Sequence, residues 1–144
     1  MTFFGSFRRP FLTDTERSQL EAGLAHALRH AGAPIALRID ARAAGDPAAR
    51  ASALFAEWLL PPDERARAVL LYACAATRRF AVAAGESIHG AAPETFWTKL
   101  SDDLARHFRE ERYCDGLFKA IADISIQLRA FAHPTQPSDA PRDS

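Results

Sequence analysis

The chain has 144 residues, of which 48% are apolar and 25% charged, the composition of one ordinary globular domain. Its 18 basic and 18 acidic residues leave no net charge, so no overall field directs the protein to nucleic acid or anionic lipid. The sequence shows neither a signal peptide nor an apolar run that could span a bilayer, and its 2 cysteines lack paired spacing. We therefore expect a cytoplasmic protein with reduced thiols and no transmembrane segment.

The first predicted element is a helix over about residues 14–30. Thr13 and Glu16 form the pattern of a capping box, and three leucines that follow at steps of four share one helical face. The Gly-Ala-Pro sequence at residues 32–34 is expected to end this helix.

The middle of the chain predicts three strands and a helix. A short β-branched run at residues 35–39 favours a strand, and Asp-Pro then begins a helix over about residues 46–59. Residues 60–65 are predicted to be a proline-rich loop. The apolar run at residues 68–74 favours a central strand, and the short link to the next strand, residues 79–82, requires an antiparallel hairpin. The helix before the central strand has the length that a parallel crossover needs.

Two further helices are predicted after the hairpin. Residues 83–92 are expected to form a loop, after which Pro93 and Glu94 begin the third helix. Asp115 is expected to cap the fourth helix, in which apolar residues recur at steps of four and three: Leu117, Ile121, Ile124, Leu128 and Phe131. This stripe is the strongest periodic signal in the sequence.

The predicted order is helix, strand, helix, strand, strand, helix, helix. It indicates an α/β domain of two or three layers with a small mixed β-sheet. We expect residues 1–12 to form an N-terminal extension, residues 13–133 the single domain, and residues 134–144 a disordered, proline-rich tail.

Several polar patterns have an ordinary structural interpretation. His26 and His30 have the spacing of two metal ligands but lack a third ligand nearby, which favours a solvated helix face. Asp102 and Asp103 are adjacent and therefore about 100° apart around a helix, so we also expect them on a solvated face. Cys74 is followed too soon by arginine for the phosphate loop of cysteine phosphatases, and is interpreted as a buried small side chain.

One segment concentrates several reactive side chains. Glu86, Ser87 and His89 lie between two glycines, directly after the second hairpin strand. Antiparallel pairing places this segment beside the start of the preceding strand, where Asp63 and Glu64 lie. These five residues are the candidate binding site, and an ordinary exposed loop is the structural alternative.

An ordered set of short motifs runs through the chain: Arg65-x-x-Ala68-Val69-Leu70-Leu71-Tyr72, Arg78-Arg79-Phe80-Ala81-Val82, Ser87-Ile88-His89, Phe96-Trp97 and Phe108. Together they resemble the TPM domain family in its short bacterial form, over about residues 13–134. The resemblance implies an α/β/α domain with a small mixed sheet. Members of the family have been linked to acid phosphatase activity, to binding of divalent cations such as calcium or magnesium, and to accessory roles beside photosynthetic or membrane complexes.

The chain departs from the family pattern at three places. It has Arg67-Ala68 where Asn-Gly is common, Thr77-Arg78 where Asp-Arg is common, and Gly85-Glu86-Ser87-Ile88-His89 where Asp-x-Gly-Ile-His is frequent. A divalent cation needs several oxygen ligands, so the loss of these acids argues against an inherited metal site unless Glu86 or Asp63 substitutes.

Two functions of different classes follow. The missing acids favour a non-catalytic interaction or accessory module that binds a protein partner, in a family whose bacterial members are often encoded near membrane-associated partners. The alternative, which rests on the resemblance alone, is a metal-dependent acid phosphatase acting on phosphomonoesters. Asp63, Glu64, Glu86 and His89 would then be metal ligands or acid–base groups.

Overall fold

The structure, a computed structural model, describes residues 10–42 and 45–132. Most of the predicted N-terminal extension and all of the predicted tail lie outside these residues. None of the described helices has the length and apolar character that a membrane span requires. The described elements, in chain order, are α1 (Asp14–Ala31), β1 (Ile35–Asp40), α2 (Pro47–Glu57), α3 (Pro62–Ala66), β2 (Val69–Cys74), β3 (Arg79–Ala84), α4 (Glu86–Ala91), α5 (Glu94–Arg109) and α6 (Tyr113–Ala132).

The three strands form one mixed sheet in the order β1-β2-β3. β1 pairs with β2 in parallel, with Ile35 opposite Val69, and β2 pairs with β3 in the antiparallel direction, with Val69 opposite Ala84. Both the predicted hairpin and the predicted parallel crossover are therefore confirmed. The Thr13 and Glu16 capping box at the start of α1 is also confirmed.

Helices cover both faces of the sheet. Every residue of β2 is buried. Alternate residues, Val69 and Leu71 among them, face a large core shared with α1, α5 and α6, whereas Leu70 and Tyr72 pack against α2. The domain is thus an α/β/α arrangement around a small mixed sheet, as expected.

α1 and α6 lie side by side and run in the same direction. Three hydrogen bonds join the helices, and their positions advance together along α6 and along α1: Cys114 to Glu16, Ser125 to Ala27 and Arg129 to His30. Because the helices are parallel, their C-terminal ends meet at one end of the domain.

Two segments predicted to be loops contain short helices. The prediction of a loop at residues 60–65 is wrong, since α3 begins at Pro62. Pro61 and Pro62 occupy the N-cap and the first position of this helix, where proline is tolerated. The loop predicted at residues 83–92 is also wrong. β3 continues to Ala84, and α4 follows because Ile88, only 1% exposed, anchors it to the core.

The start of α6 and the residues before α1 also differ from expectation. α6 begins at Tyr113, so Asp115 lies in its first turn rather than capping it. There the carboxylate of Asp115 accepts a hydrogen bond from Arg112. Phe11, which belongs to the predicted extension, lies in the core with its ring 4.9 Å from that of Tyr113 and 5.8 Å from that of Phe108.

Candidate functional site

The two predicted site segments meet through the backbone at Gly85. Its amide donates a hydrogen bond to the carbonyl of Ala68 over 2.8 Å. A β-carbon at Gly85 would lie 2.1 Å from the carbonyl oxygen of Arg65 and 2.4 Å from that of Ala66, so only glycine fits. The start of α4 is therefore pressed against the end of α3, as the hairpin pairing requires.

The candidate side chains lie on these two helices, and we call them together the α3–α4 surface: Asp63, Glu64, Glu86, Ser87 and His89. All are exposed except Glu64, which is half-buried. Within residues 10–42 and 45–132, none of the three carboxylates and neither Ser87 nor His89 makes a side-chain hydrogen bond or ion pair. The His89 ring lies 5.8 Å from that of Trp97. The arrangement leaves polar groups available to an external molecule.

The donors of the α3–α4 surface do not form a metal site. Among the described residues, no group of three His, Cys, Asp or Glu side chains is arranged to hold a metal ion. A calcium or magnesium ion needs several oxygen ligands converging on one point. The residues present therefore do not fit the divalent cation that the family resemblance implies.

Two arginines beside this surface are anchored to the fold. Arg65 donates to the carbonyls of Phe55 and Trp58, and its guanidinium lies 5.5 Å from the centre of the Phe55 ring. Arg67 donates to the carbonyl of Gly32 over 2.9 Å. These contacts hold the positive charges against the protein, while the three carboxylates carry no such contacts.

A second polar group lies at the carboxyl ends of β1 and β2, where α/β proteins often bind ligands. One oxygen of Asp40 accepts hydrogen bonds from Arg50 at 2.9 Å and from the hydroxyl of Tyr72 at 2.8 Å. The hydrogen bond from Arg50 makes the largest contribution to lowering the pKa of Asp40, and the bond from Tyr72 lowers it further. The pKa of Tyr72 is raised to about 12, mainly by burial and next by the hydrogen bond to Asp40. This network joins both strands to α2, so its acid is engaged by the fold.

Cys74, at the end of β2, is enclosed by the hairpin turn. Burial raises the pKa of its thiol, but hydrogen bonds from the Thr77 side chain and from the amides of Thr77 and Ala76 leave the pKa below its ordinary value. The residue is only 2% exposed. Its predicted role as a buried small side chain is confirmed.

A third polar group joins α5 to α6. Asp103 accepts hydrogen bonds from Lys119 at 3.1 Å, Lys99 at 3.3 Å and Arg106 at 3.4 Å. The bond from Lys119 is the largest contribution that lowers the pKa of Asp103 to about 2. Asp102 is exposed, as predicted. The prediction of a solvated face is wrong for Asp103 because Lys119 of α6 reaches it from the neighbouring helix.

An apolar groove, which we call the α1–α6 groove, lies between the two parallel helices. It has a volume of about 360 Å³. Two large apolar side chains of α6 line it while exposed to solvent, Phe118 at 46% and Ile126 at 68%. Sequence reasoning missed this groove, although Phe118, Ala122 and Ile126 recur at steps of four beside the buried stripe of α6.

The two ends of the groove differ in chemistry. At one end, a β-carbon on Gly23 would lie 2.7 Å from the Phe118 ring, so the glycine lets the ring lie across α1. At the other end are Arg129 and His30, and the ring of His26, midway along the α1 side, has its centre 4.3 Å from that of the His30 ring. The two histidines are exposed, as predicted.

Comparisons with known proteins agree with this fold. The family model of the TPM domain matches residues 8–127. The chain is similar to the solved structure of BA42 protein from the psychrophilic bacterium Bizionia argentinensis, with 20% identity over 93% of this chain and 92% of that one, at a TM-score of 0.73. It is also similar to the N-terminal domain of a protein from P. gingivalis, with 18% identity over 84% of this chain and 78% of that one, at a TM-score of 0.65. These identities relate the folds alone, and no curated protein matches the chain.

Proposed function

The chain belongs to the TPM domain family, and we propose that it is a non-catalytic interaction module that binds a protein partner through the α3–α4 surface. One observation carries the proposal. Exposed polar side chains on two short helices, held in place by Gly85, have no hydrogen-bond or ion-pair partner in the described part of the chain. Unpaired polar groups on a rigid support are suited to recognition at a protein interface.

The charge of the surface supports a basic partner. Asp63, Glu64 and Glu86 supply three carboxylates, while the neighbouring Arg65 and Arg67 bind backbone carbonyls of the fold. We therefore infer a basic surface on the partner, with binding that weakens as salt is added. Ser87 and His89 would add directional hydrogen bonds at the same place.

The donor arrangement does not favour the phosphatase alternative. Metal-assisted phosphoryl chemistry needs ligands that converge on the ion and fix its geometry. The four residues that would serve, Asp63, Glu64, Glu86 and His89, form no such group in the described chain. These four side chains therefore support no metal-assisted catalytic step.

Affinity capture tests the proposal. The immobilised protein is incubated with lysate of its native cell, alongside a Glu86→Ala, His89→Ala variant and a control variant, Gln19→Ala, Glu21→Ala, on the exposed face of α1. We expect one protein to be retained by the wild type and the control but not by the first variant. Identical retention by all three proteins would contradict the proposed surface.

A turnover assay separates the two functions. We expect no hydrolysis of a generic phosphomonoester in the presence of calcium, magnesium, manganese or zinc. Metal-dependent turnover that falls at least about tenfold in the Glu86→Ala, His89→Ala variant would replace the interaction module with a phosphatase.

A further inference from the structure

We propose that the α1–α6 groove binds a single-chain amphipathic carboxylate, such as a fatty acid. The alkyl chain would lie along the apolar wall, and the carboxylate would lie beside Arg129, His26 and His30. The groove shares no residue with the α3–α4 surface, so this inference goes beyond the proposed function and stands independently of it.

The size and lining of the groove suit a small apolar body. Ligand sites in proteins typically have volumes of about 300–1,000 Å³ and are lined mainly by apolar groups with a few polar ones. The α1–α6 groove, at about 360 Å³, lies in this range. Its wall includes Phe118, Ile121, Ala122 and Ile126, and the hydroxyl of Ser125 already donates to the carbonyl of Ala27. The apolar wall therefore has no unmet hydrogen bond that an alkyl chain would leave unsatisfied.

The shape of the groove favours a chain over a compact molecule. Its α1 side extends from Gly23 to His30, a rise of about 10 Å at about 1.5 Å per residue. Gly23 contributes no side chain, and the Phe118 ring fills the space beside it. A single alkyl chain could lie lengthwise between the two helices.

The charge of the groove identifies the head group. Among the described residues, no acidic side chain lines it. Arg129 and His30 lie at one end, and the His26 ring lies 4.3 Å from the His30 ring. Arg129 uses one N–H group to bind the carbonyl of His30 over 3.1 Å, and His30 Nδ1 lies 3.0 Å from the carbonyl of His26. These two contacts offset the negative partial charge where the C-termini of α1 and α6 meet. The remaining guanidinium N–H groups of Arg129 are suited to a carboxylate.

A titration followed by NMR tests the ligand class. Octanoate, octanol and octylamine have the same chain but negative, neutral and positive head groups. We expect octanoate to cause saturable shifts in amide signals of α1 and α6, and to bind more tightly than either of the others. Equal binding of octanol, or shifts that never saturate and spread over the whole domain, would overturn the proposal.

Matched variants test the position of the ligand. Ile126→Glu should abolish octanoate binding, whereas Leu28→Glu, at a 41% exposed leucine of α1 outside the groove, should not. Arg129→Gln should weaken binding about tenfold, equivalent to about 1.4 kcal/mol, while Arg29→Gln should leave it unchanged. Octanoate affinities that are the same in Arg129→Gln and Arg29→Gln would contradict a carboxylate at that end. All four substituted positions are exposed, and the amide spectrum of each variant reports whether it is folded.

Two other occupants give different results. If the groove instead contacts a membrane, the wild type will co-sediment with vesicles of anionic phospholipid, the Ile126→Glu variant will not, and octanoate will not bind. If it contacts a second copy of the chain, the wild type will dimerise and Ile126→Glu will not. Either result would overturn the carboxylate proposal.

Discussion

The position that a β-carbon of Gly85 would occupy lies 2.1 Å from the carbonyl oxygen of Arg65. This separation is far shorter than a van der Waals contact. The oxygen belongs to the backbone and the backbone fixes the position of a β-carbon, so neither can rotate away. The close approach holds the start of α4 against the end of α3 and so positions the α3–α4 surface.

Gly85→Ala should therefore destabilise the fold. We expect the free energy of unfolding to fall by about 2 kcal/mol, a cost typical of forcing an extra carbon into packed structure. Gly90→Ala is the matched control, because a β-carbon there meets open space within α4. It should be neutral or raise the free energy of unfolding by about 0.5–1 kcal/mol through helix propensity. Urea denaturation measures both, and equal stability of the two variants would contradict the close approach.

Tyr72→Phe should change stability at high pH. The folded protein holds the Tyr72 proton more tightly than the unfolded chain does. Its contribution is therefore complete below the pKa of a free tyrosine, about 10, and is lost as the pH rises to about 12. Tyr72→Phe should lower the free energy of unfolding by about 1 kcal/mol at neutral pH, through the lost bond to Asp40. It should also lack the loss between pH 10 and pH 12.

Alkaline denaturation tests whether this contact is the origin of the loss. If Tyr72→Phe lost stability between pH 10 and pH 12 as the wild type does, the Asp40–Tyr72 contact would not be its origin.

Asp103→Asn should change stability at low pH. The pKa of Asp103 is lowered to about 2, so the carboxylate stabilises the fold above the pKa of a free aspartate, about 3.9, and this contribution is lost as the pH falls toward 2. Because Lys119 is partly exposed, we expect a loss of only about 1 kcal/mol at neutral pH. Acid denaturation of Asp103→Asn should show a weaker pH dependence in this range, and Asp102→Asn should match the wild type. If the free energy of unfolding of Asp103→Asn depended on pH between about 4 and 2 as that of the wild type does, the Asp103–Lys119 ion pair would be contradicted.

Thr13→Ala should weaken the start of α1. The Thr13 hydroxyl accepts a hydrogen bond from the Glu16 amide at 3.1 Å, and the Glu16 carboxylate accepts one from the Thr13 amide at 3.0 Å. Loss of this cap should lower the free energy of unfolding by about 1 kcal/mol. Thr15→Ala, at an exposed position of the same helix, should have little effect, and thermal denaturation of the two variants distinguishes them.

Local sequence patterns were sufficient for most of the fold. The capping box at Thr13 and the apolar run of β2 can each be recognised from a few neighbouring residues. The link between β2 and β3 is too short for any connection except an antiparallel hairpin. The short helices α3 and α4 were missed because each has too few residues to show a period. The two prolines before Asp63 also read as breakers, although proline is favoured at a helix start.

Features that depend on how helices pack could not be predicted. The sequence places Asp103 and Lys119 on different helices, and nothing local indicates that they meet. The α1–α6 groove likewise requires the parallel packing of two helices far apart in the chain. For the α3–α4 surface, the hairpin pairing predicted that the two segments are neighbours. It did not predict that their side chains would remain separate and exposed.

The measurement that tests the central claim most directly is the affinity of the captured partner for charge-reversed variants. Calorimetric titration would compare the wild type with Asp63→Lys, Glu86→Lys and with a control, Glu21→Lys, Asp102→Lys, which reverses two exposed acids outside the α3–α4 surface. We expect the first variant to bind at least about tenfold more weakly and the control to bind like the wild type. Equal affinity of the wild type and the Asp63→Lys, Glu86→Lys variant would contradict recognition by the α3–α4 surface.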